Sequence, residues 1–279
     1  MGSGIAEVAA KAGHDVVVRE VSEEALTSGR KRIEGSLARA VEKGKLPQEA
    51  REEVLSRLSF TTELDALADR DLVIEAIVEA LEAKNELFSY LDDIAPEHTI
   101  FASNTSSLTV TDMAAATKRP DRFVGLHFFN PVPVMKLVEV VRTIVTSQET
   151  FDAAFAFALG LGKEPIAAKD NSGFVVNLLL VPYMLDAIRQ LERGVATIQD
   201  IDKAMTLGCG YPMGPFVLGD FVGLDTLAKI AEIMYDEYRE ERYAPPPLLK
   251  RVIAMGRYGK KTGAGFYDWT PEGPVPLAL

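Results

Sequence analysis

Among the three histidines in 279 residues, His127 stands out because it lies in a recognisable motif, GLHFFNPVP at 125–133. An apolar run leads into it and an Asn-Pro turn follows. Imidazole titrates near neutral pH, so a histidine at the mouth of a buried strand raises the question of proton chemistry. The competing reading is a core histidine whose ring nitrogens are satisfied. Further on, Glu139 sits inside the apolar run KLVEVV, where a carboxylate is costly to bury without a partner. The competing reading is a surface-edge residue of an alternating strand.

Two more polar residues break apolar contexts. Ser106, in SNTSSL, precedes an apolar helix pattern and by itself reads as a helix N-cap. Asn177, in SGFVVN, would by itself be an interhelical hydrogen-bonding residue. The opening MGSGIAEVAAKAGHDVVVRE places Gly2 and Gly4 before a helix of small residues, Gly13 at its end, then a strand ending at Glu20. Glycines that let a pyrophosphate approach a helix N-terminus, with an acid at the end of the next strand for the ribose hydroxyls, mark a dinucleotide-binding βαβ unit. The 18 residues from Gly2 to Glu20 are close to the roughly 20 expected. An ordinary Gly-rich turn would look similar.

The elements that must hold these residues change character along the chain. Short apolar runs at 16–20, 71–77, 99–103, 122–129, 136–141 and 164–169 read as strands buried on both faces. Helix patterns alternate with them at 3–12, 22–58, 81–93 and 106–117. That alternation predicts an α/β domain with a doubly wound parallel sheet. After Asp170 only helical patterns follow, at 173–193, 198–207, 214–239 and 246–255, so the expected domains are 1–169 and an all-α 170–279. Segment 22–58 is too long for a simple crossover. Within it Arg30, Lys31, Arg32, Arg39, Lys43 and Lys45 outweigh Glu34 and Glu42, which reads either as a solvated helix face or as an arm gripping a phosphorylated ligand.

Composition narrows the function classes. A formal net charge of −11 argues against general nucleic-acid binding. No apolar run is long enough to span a membrane, and the first residues show no signal-peptide pattern. The single cysteine, Cys209, excludes an internal disulfide framework and fits a cytoplasmic protein. Three scattered histidines and one cysteine make a metal cluster improbable, so no metal is expected.

Taken together, MGSGIA, VIEAIVEALEAKNELF, FASNTSSL, GLHFFNPVPVMKLVEVV, DNSGFVVNLLLVPY, PMGPF and KKTGAGFY resemble the L-3-hydroxyacyl-CoA dehydrogenase family, most of all its bacterial 3-hydroxybutyryl-CoA dehydrogenases. The resemblance covers almost the whole chain in family order. It implies a Rossmann-like NAD-binding domain with a helical arm, a helical second domain through which the protein forms a homodimer, and a site between the two. It implies His127 as catalytic base, Glu139 as its partner, Ser106 on the substrate hydroxyl and Asn177 facing the reacting carbon. For NAD it implies Gly2, Gly4, Glu20, Glu79, Lys84, Ser106 and Asn130; for the coenzyme A of the acyl substrate, Ser36, Arg39 and Lys43 on the arm. PMGPF and KKTGAGFY are expected to serve turns and packing. The family pattern also has a strand and glycines ahead of the position of Met1, so a start upstream of Met1, or their omission from this sequence, is expected. Two alternatives remain open: a dicarboxylic 3-hydroxyacyl-CoA as substrate, and an inactive crystallin-like relative, against which the intact Ser106, His127, Glu139 and Asn177 argue.

Overall fold

The structure is a computed structural model and describes residues 1–278. It separates into two compact units, Met1–Asn171 and the residues from Ser172 onward. In the first unit the elements are α1 (Gly2–Lys11), β1 (Val16–Arg19), α2 (Glu23–Glu42), α3 (Gln48–Ser56), β2 (Leu58–Thr61), β3 (Leu72–Glu75), α4 (Leu81–Ile94), β4 (Ile100–Ser103), α5 (Val110–Ala114), β5 (Phe123–Phe128), β6 (Leu137–Arg142), α6 (Gln148–Gly160) and β7 (Glu164–Lys169). β1 and β2 pair in parallel as a two-stranded sheet, and β3-β4-β5-β6-β7 form a second sheet in that order. This is the expected Rossmann-type arrangement, with three departures in detail.

First, β6 runs antiparallel to β5, and β7 is parallel to β6. The short link from Phe128 to Leu137 cannot make the dozen-residue crossover that a parallel partner needs, so the chain turns back. Second, the arm 22–58 is two helices, α2 and α3, and Leu58 already belongs to β2. Third, the helix expected over 106–117 is reduced to α5, capped at Thr109 rather than at Ser106.

The alternation of side chains along the strands divides the unit's core. Val124, Leu126 and Phe128 of β5, with Val138 and Val140 of β6, pack with Ile5 and Val8 of α1 and Ala154 and Ala158 of α6. On the opposite face Phe123 of β5 and Phe101 of β4 meet Phe88 of α4, with ring centroids 4.6 and 5.7 Å apart. Because strand side chains alternate, His127 shares a face with Phe123, and Glu139 lies between the two α6-facing valines. All six β5 residues are buried.

The second unit holds α7 (Val176–Glu192), α8 (Ile198–Cys209), α9 (Pro215–Val222), α10 (Leu224–Tyr238), α11 (Pro247–Ala254) and the hairpin β8 (Tyr267–Thr270)–β9 (Gly273–Pro276). The helix expected over 214–239 breaks at Gly223, and the hairpin corrects the all-α expectation. Two buried aspartates organise this unit. Asp202 accepts from the Phe216 and Val217 N–H groups and the Tyr267 hydroxyl, which ties the PMGPF turn to α8. Asp220 accepts from the Phe266 and Tyr267 N–H groups and from Trp269 Nε1. A Cβ at Gly265 would fall 2.0 Å from the Asp220 carboxylate, so the glycine of GAGFY is what lets the chain reach this acceptor. Burial raises both aspartates above their usual range. Among the described residues no helix is long and apolar enough to cross a membrane.

Candidate active site

His127 and Glu139 occupy opposed positions of the antiparallel β5–β6 pair. Their side chains therefore stand on one face of the sheet, and His127 Nδ1 lies 2.6 Å from Glu139 Oε2. Both are buried, Glu139 completely. A carboxylate can only accept, so the contact places a proton on Nδ1 and turns the lone pair of the neutral ring to Nε2. Such a contact can fix the ring's tautomer and place a buried counter-charge beside its protonated form. The core-histidine reading does not explain why the partner is a fully buried carboxylate.

The turn after β4 aligns with this pair. Asn104 Oδ1 accepts the Phe128 N–H at 2.9 Å, which pins the residue following His127 to the end of β4. Ser106, half-buried in the loop, donates its N–H to Glu79 Oε1 at 3.0 Å. Glu79 also accepts from the Thr105 hydroxyl and lies 3.0 Å from Lys84 Nζ. Burial pushes the Glu79 carboxyl up, but Lys84, Thr105 and the Ser106 N–H outweigh it and hold it below the usual carboxylate range. Glu79 and Lys84 are thus not solvated helix residues: Glu79 precedes α4, and Lys84 is 1% exposed.

Glu75 was not singled out by sequence. Its carboxylate, at the end of β3, accepts from Lys84 Nζ at 2.8 and 2.9 Å, from Ser103 Oγ at 2.6 Å and from the Ile77 N–H at 2.6 Å. The available signal was its place inside the apolar run DLVIEAI, the same signal that marked Glu139. Lys163 is a second such residue. Its buried ammonium donates to the carbonyls of Val132 and Met135, fixing the loop that follows β5.

Gly2 and Gly4 lie in the first turn of α1, where the Gly4 N–H donates to the Met1 carbonyl at 2.9 Å. Glu20 follows β1, and its N–H donates to the Thr61 carbonyl at 3.2 Å. A strand ending in an acid after a helix that starts with glycines is the arrangement that dinucleotide-binding units use. Gly4 has a further reason to lack a side chain, since its Cβ would meet Val132 Cβ at 2.9 Å. Asn130 is exposed in the loop after β5. Ser36, Arg39 and Lys43 are spaced so as to share one face of α2 and its C-cap, with Arg39 and Lys43 exposed. Asn177 lies in the first turn of α7, in the second unit.

Residues 1–171 match the 3-hydroxyacyl-CoA dehydrogenase NAD-binding domain, and residues 173–269 match the C-terminal domain of the same enzymes. A 3-hydroxybutyryl-CoA dehydrogenase of Mycobacterium tuberculosis is 52% identical over 271 residues, 96% of this chain and 95% of the relative. The human mitochondrial hydroxyacyl-coenzyme A dehydrogenase is 52% identical over 276 residues, 96% of this chain and 88% of its own. The crystal structure of (S)-3-hydroxybutyryl-CoA dehydrogenase from Ralstonia eutropha superposes with a TM-score of 0.93 at 42% identity, covering 97% of this chain and 95% of that one. The chain belongs to the 3-hydroxyacyl-CoA dehydrogenase family of NAD-dependent oxidoreductases.

Proposed function

We propose that the enzyme reversibly oxidises a short-chain L-3-hydroxyacyl-CoA, such as 3-hydroxybutyryl-CoA, to the 3-oxoacyl-CoA, with His127 as the general base. The observation that carries this reading is the buried His127–Glu139 contact at 2.6 Å in a chain of this family. NAD, when bound, supplies the hydride acceptor. The protein's part is to remove the hydroxyl proton: Nε2 of His127 takes it as the carbonyl forms, and Glu139 stabilises the imidazolium. In the reverse direction the same imidazolium returns the proton. Ser106 holds the substrate oxygen, and Asn177 is the second unit's assigned residue. Gly2, Gly4, Glu20, Glu79, Lys84 and Asn130 hold the cofactor.

The arm supports the acyl-CoA reading. Arg39 and Lys43 are cations on an exposed helix face, suited to the phosphates of coenzyme A, with Ser36 beside them. The second unit exposes Leu179, Leu207, Tyr211 and Phe221, which supports a homodimer formed through that unit. The single cysteine supports a cytoplasmic location. The deciding assay is NADH oxidation by the purified protein with acetoacetyl-CoA, repeated with 3-oxoadipyl-CoA. Turnover faster with the first supports the proposal; faster turnover with the second moves the assignment to a dicarboxylic substrate, and none with either removes it.

A further inference from the structure

The Glu75–Lys84–Glu79 group contains one cation and two carboxylates, and it lies beside the proposed base. Glu75 and Ser103 are register partners on β3 and β4, and Ser103 is the register partner of Gly125 on β5. His127 follows Gly125 by two residues on the same face, about 7 Å along the strand. At Gly125 there is no side chain to intervene, because a Cβ there would meet Val141 Cβ at 2.6 Å. The Ser103–Glu75 bond and the His127–Glu139 pair are therefore neighbouring polar rows on one face, at the ends of three parallel strands. A hydride acceptor that takes its hydride from the carbon whose hydroxyl meets His127 must lie along this edge.

The charges of the group are set by its partners. Four hydrogen bonds enter Glu75 and all come from donors, the pattern of an ionised, acceptor-only carboxylate. The one ammonium is divided between Glu75 and Glu79, at 2.8 and 3.0 Å. Glu75 is 3% exposed and Lys84 1%, so water screens this part of the group little, while the Glu79 side chain retains 24% exposure. By committing its charge to Lys84, Glu75 leaves the group with one net negative charge, carried toward its exposed side by Glu79.

We infer that Glu75 is a positioning residue whose buried charge keeps the Glu75–Lys84–Glu79 group at net −1, and that this charge makes the enzyme bind the oxidised, cationic nicotinamide better relative to the reduced, neutral one. The inference rests on the cofactor role proposed above for Glu79 and Lys84. A neutral Glu75 would leave Lys84 to neutralise Glu79, and the discrimination between the two cofactor forms would fall.

The test measures dissociation constants of NAD and NADH separately, by calorimetry on the protein without acyl-CoA. Glu75→Gln should shift the ratio of the two constants toward NADH by roughly tenfold, the order of effect of a unit charge in a partly buried site. Glu79→Gln, at the exposed end of the group, removes the same charge and should shift the ratio in the same direction even if Glu75→Gln fails to fold. A structural defect weakens both forms alike. An unchanged ratio in the variants that fold therefore overturns the inference while leaving the proposed function standing. If the unmodified protein binds neither form, the cofactor reading itself fails.

Discussion

His127 and Glu139 face each other across the one antiparallel pair of the central sheet, so the backbone register itself presents Nδ1 to the carboxylate. Two residues held by ladder hydrogen bonds need little further ordering to act as a unit. His127→Gln keeps size and some hydrogen bonding but cannot take the proton, and kcat should fall by roughly 10²–10⁴ with little change in the dissociation constant for NAD. Glu139→Gln removes the counter-charge and leaves the tautomer unfixed, so it should also slow turnover. Because both changes disable one function, the double variant should be only slightly slower than His127→Gln. Additive losses in steady-state kinetics would return His127 to the role of a core histidine.

Cofactor choice follows from the end of β1. Glu20 can accept from a ribose diol but repels a 2′-phosphate. Arg19, the adjacent cation, does not offset this, because its Nε donates to the Thr62 carbonyl at 3.1 Å. kcat/KM should favour NAD over NADP by about 10²-fold or more, a difference of roughly 3 kcal/mol for an unpaired charge against phosphate. Glu20→Ala should narrow the gap mainly by weakening NAD. Comparable values for the two cofactors in the unmodified enzyme would overturn the assignment of Glu20.

The arm makes a separate prediction. If Lys43 meets a coenzyme A phosphate, Lys43→Ala should raise KM for the acyl-CoA roughly threefold to fivefold, the worth of an exposed charge contact. The NAD constant should not move, and the difference should shrink as salt is added. A KM equal to that of the unmodified enzyme at low salt would make the arm a solvated helix pair.

Residues whose burden shows within a short window were readable from sequence. A lone carboxylate in KLVEVV and a histidine before Asn-Pro each stand out against an apolar run, and the structure places them in contact. Glu75 carries the same mark, but DLVIEAI reads well as a strand whatever its charge meets, so the residue does not stand out. What stayed hidden depends on distant partners. β2 is four residues long and gains its strand state only by pairing with β1. Gly265 of GAGFY makes sense only once Asp220, far earlier in the chain, is seen against it. Ser106 looked like a cap because the sequence does not show where the helix begins, and tertiary contacts delay it to Val110, whose N–H Asp170 accepts at 2.9 Å.

Glu79 gives the protein a pH dependence of definite sign. Burial alone would raise its carboxyl, but Lys84, the Thr105 hydroxyl and the Ser106 N–H prevail, so its folded value lies below the unfolded one. A depressed carboxyl stabilises the fold above the ordinary carboxylate range, and that contribution is lost as pH falls through the folded value. Glu79→Gln should therefore lower Tm at neutral pH, and the gap should close in acid. A constant Tm difference from pH 7 down to pH 3 would show that the charge contributes nothing.

The last prediction concerns Asp220, which the mechanism does not use. Its carboxylate receives three N–H donors from the segment around β8, each buried or half-buried. Asp220→Ala leaves all three without their acceptor, and each unsatisfied buried donor costs about 1–3 kcal/mol, so the loss should reach about 3 kcal/mol or more. Asp220→Asn retains one acceptor oxygen but turns an N–H₂ group toward a donor, so it should fall between the two. Because α9 and the hairpin belong to the second unit, denaturant unfolding followed by Trp269 fluorescence should report the change directly. The NAD affinity of whatever remains folded should be unaltered, since the binding residues assigned to the cofactor all lie before Asn171. A midpoint unchanged by Asp220→Ala would mean that packing around Phe266 and Phe216, whose ring centroids are 4.8 Å apart, holds the hairpin without its acceptor.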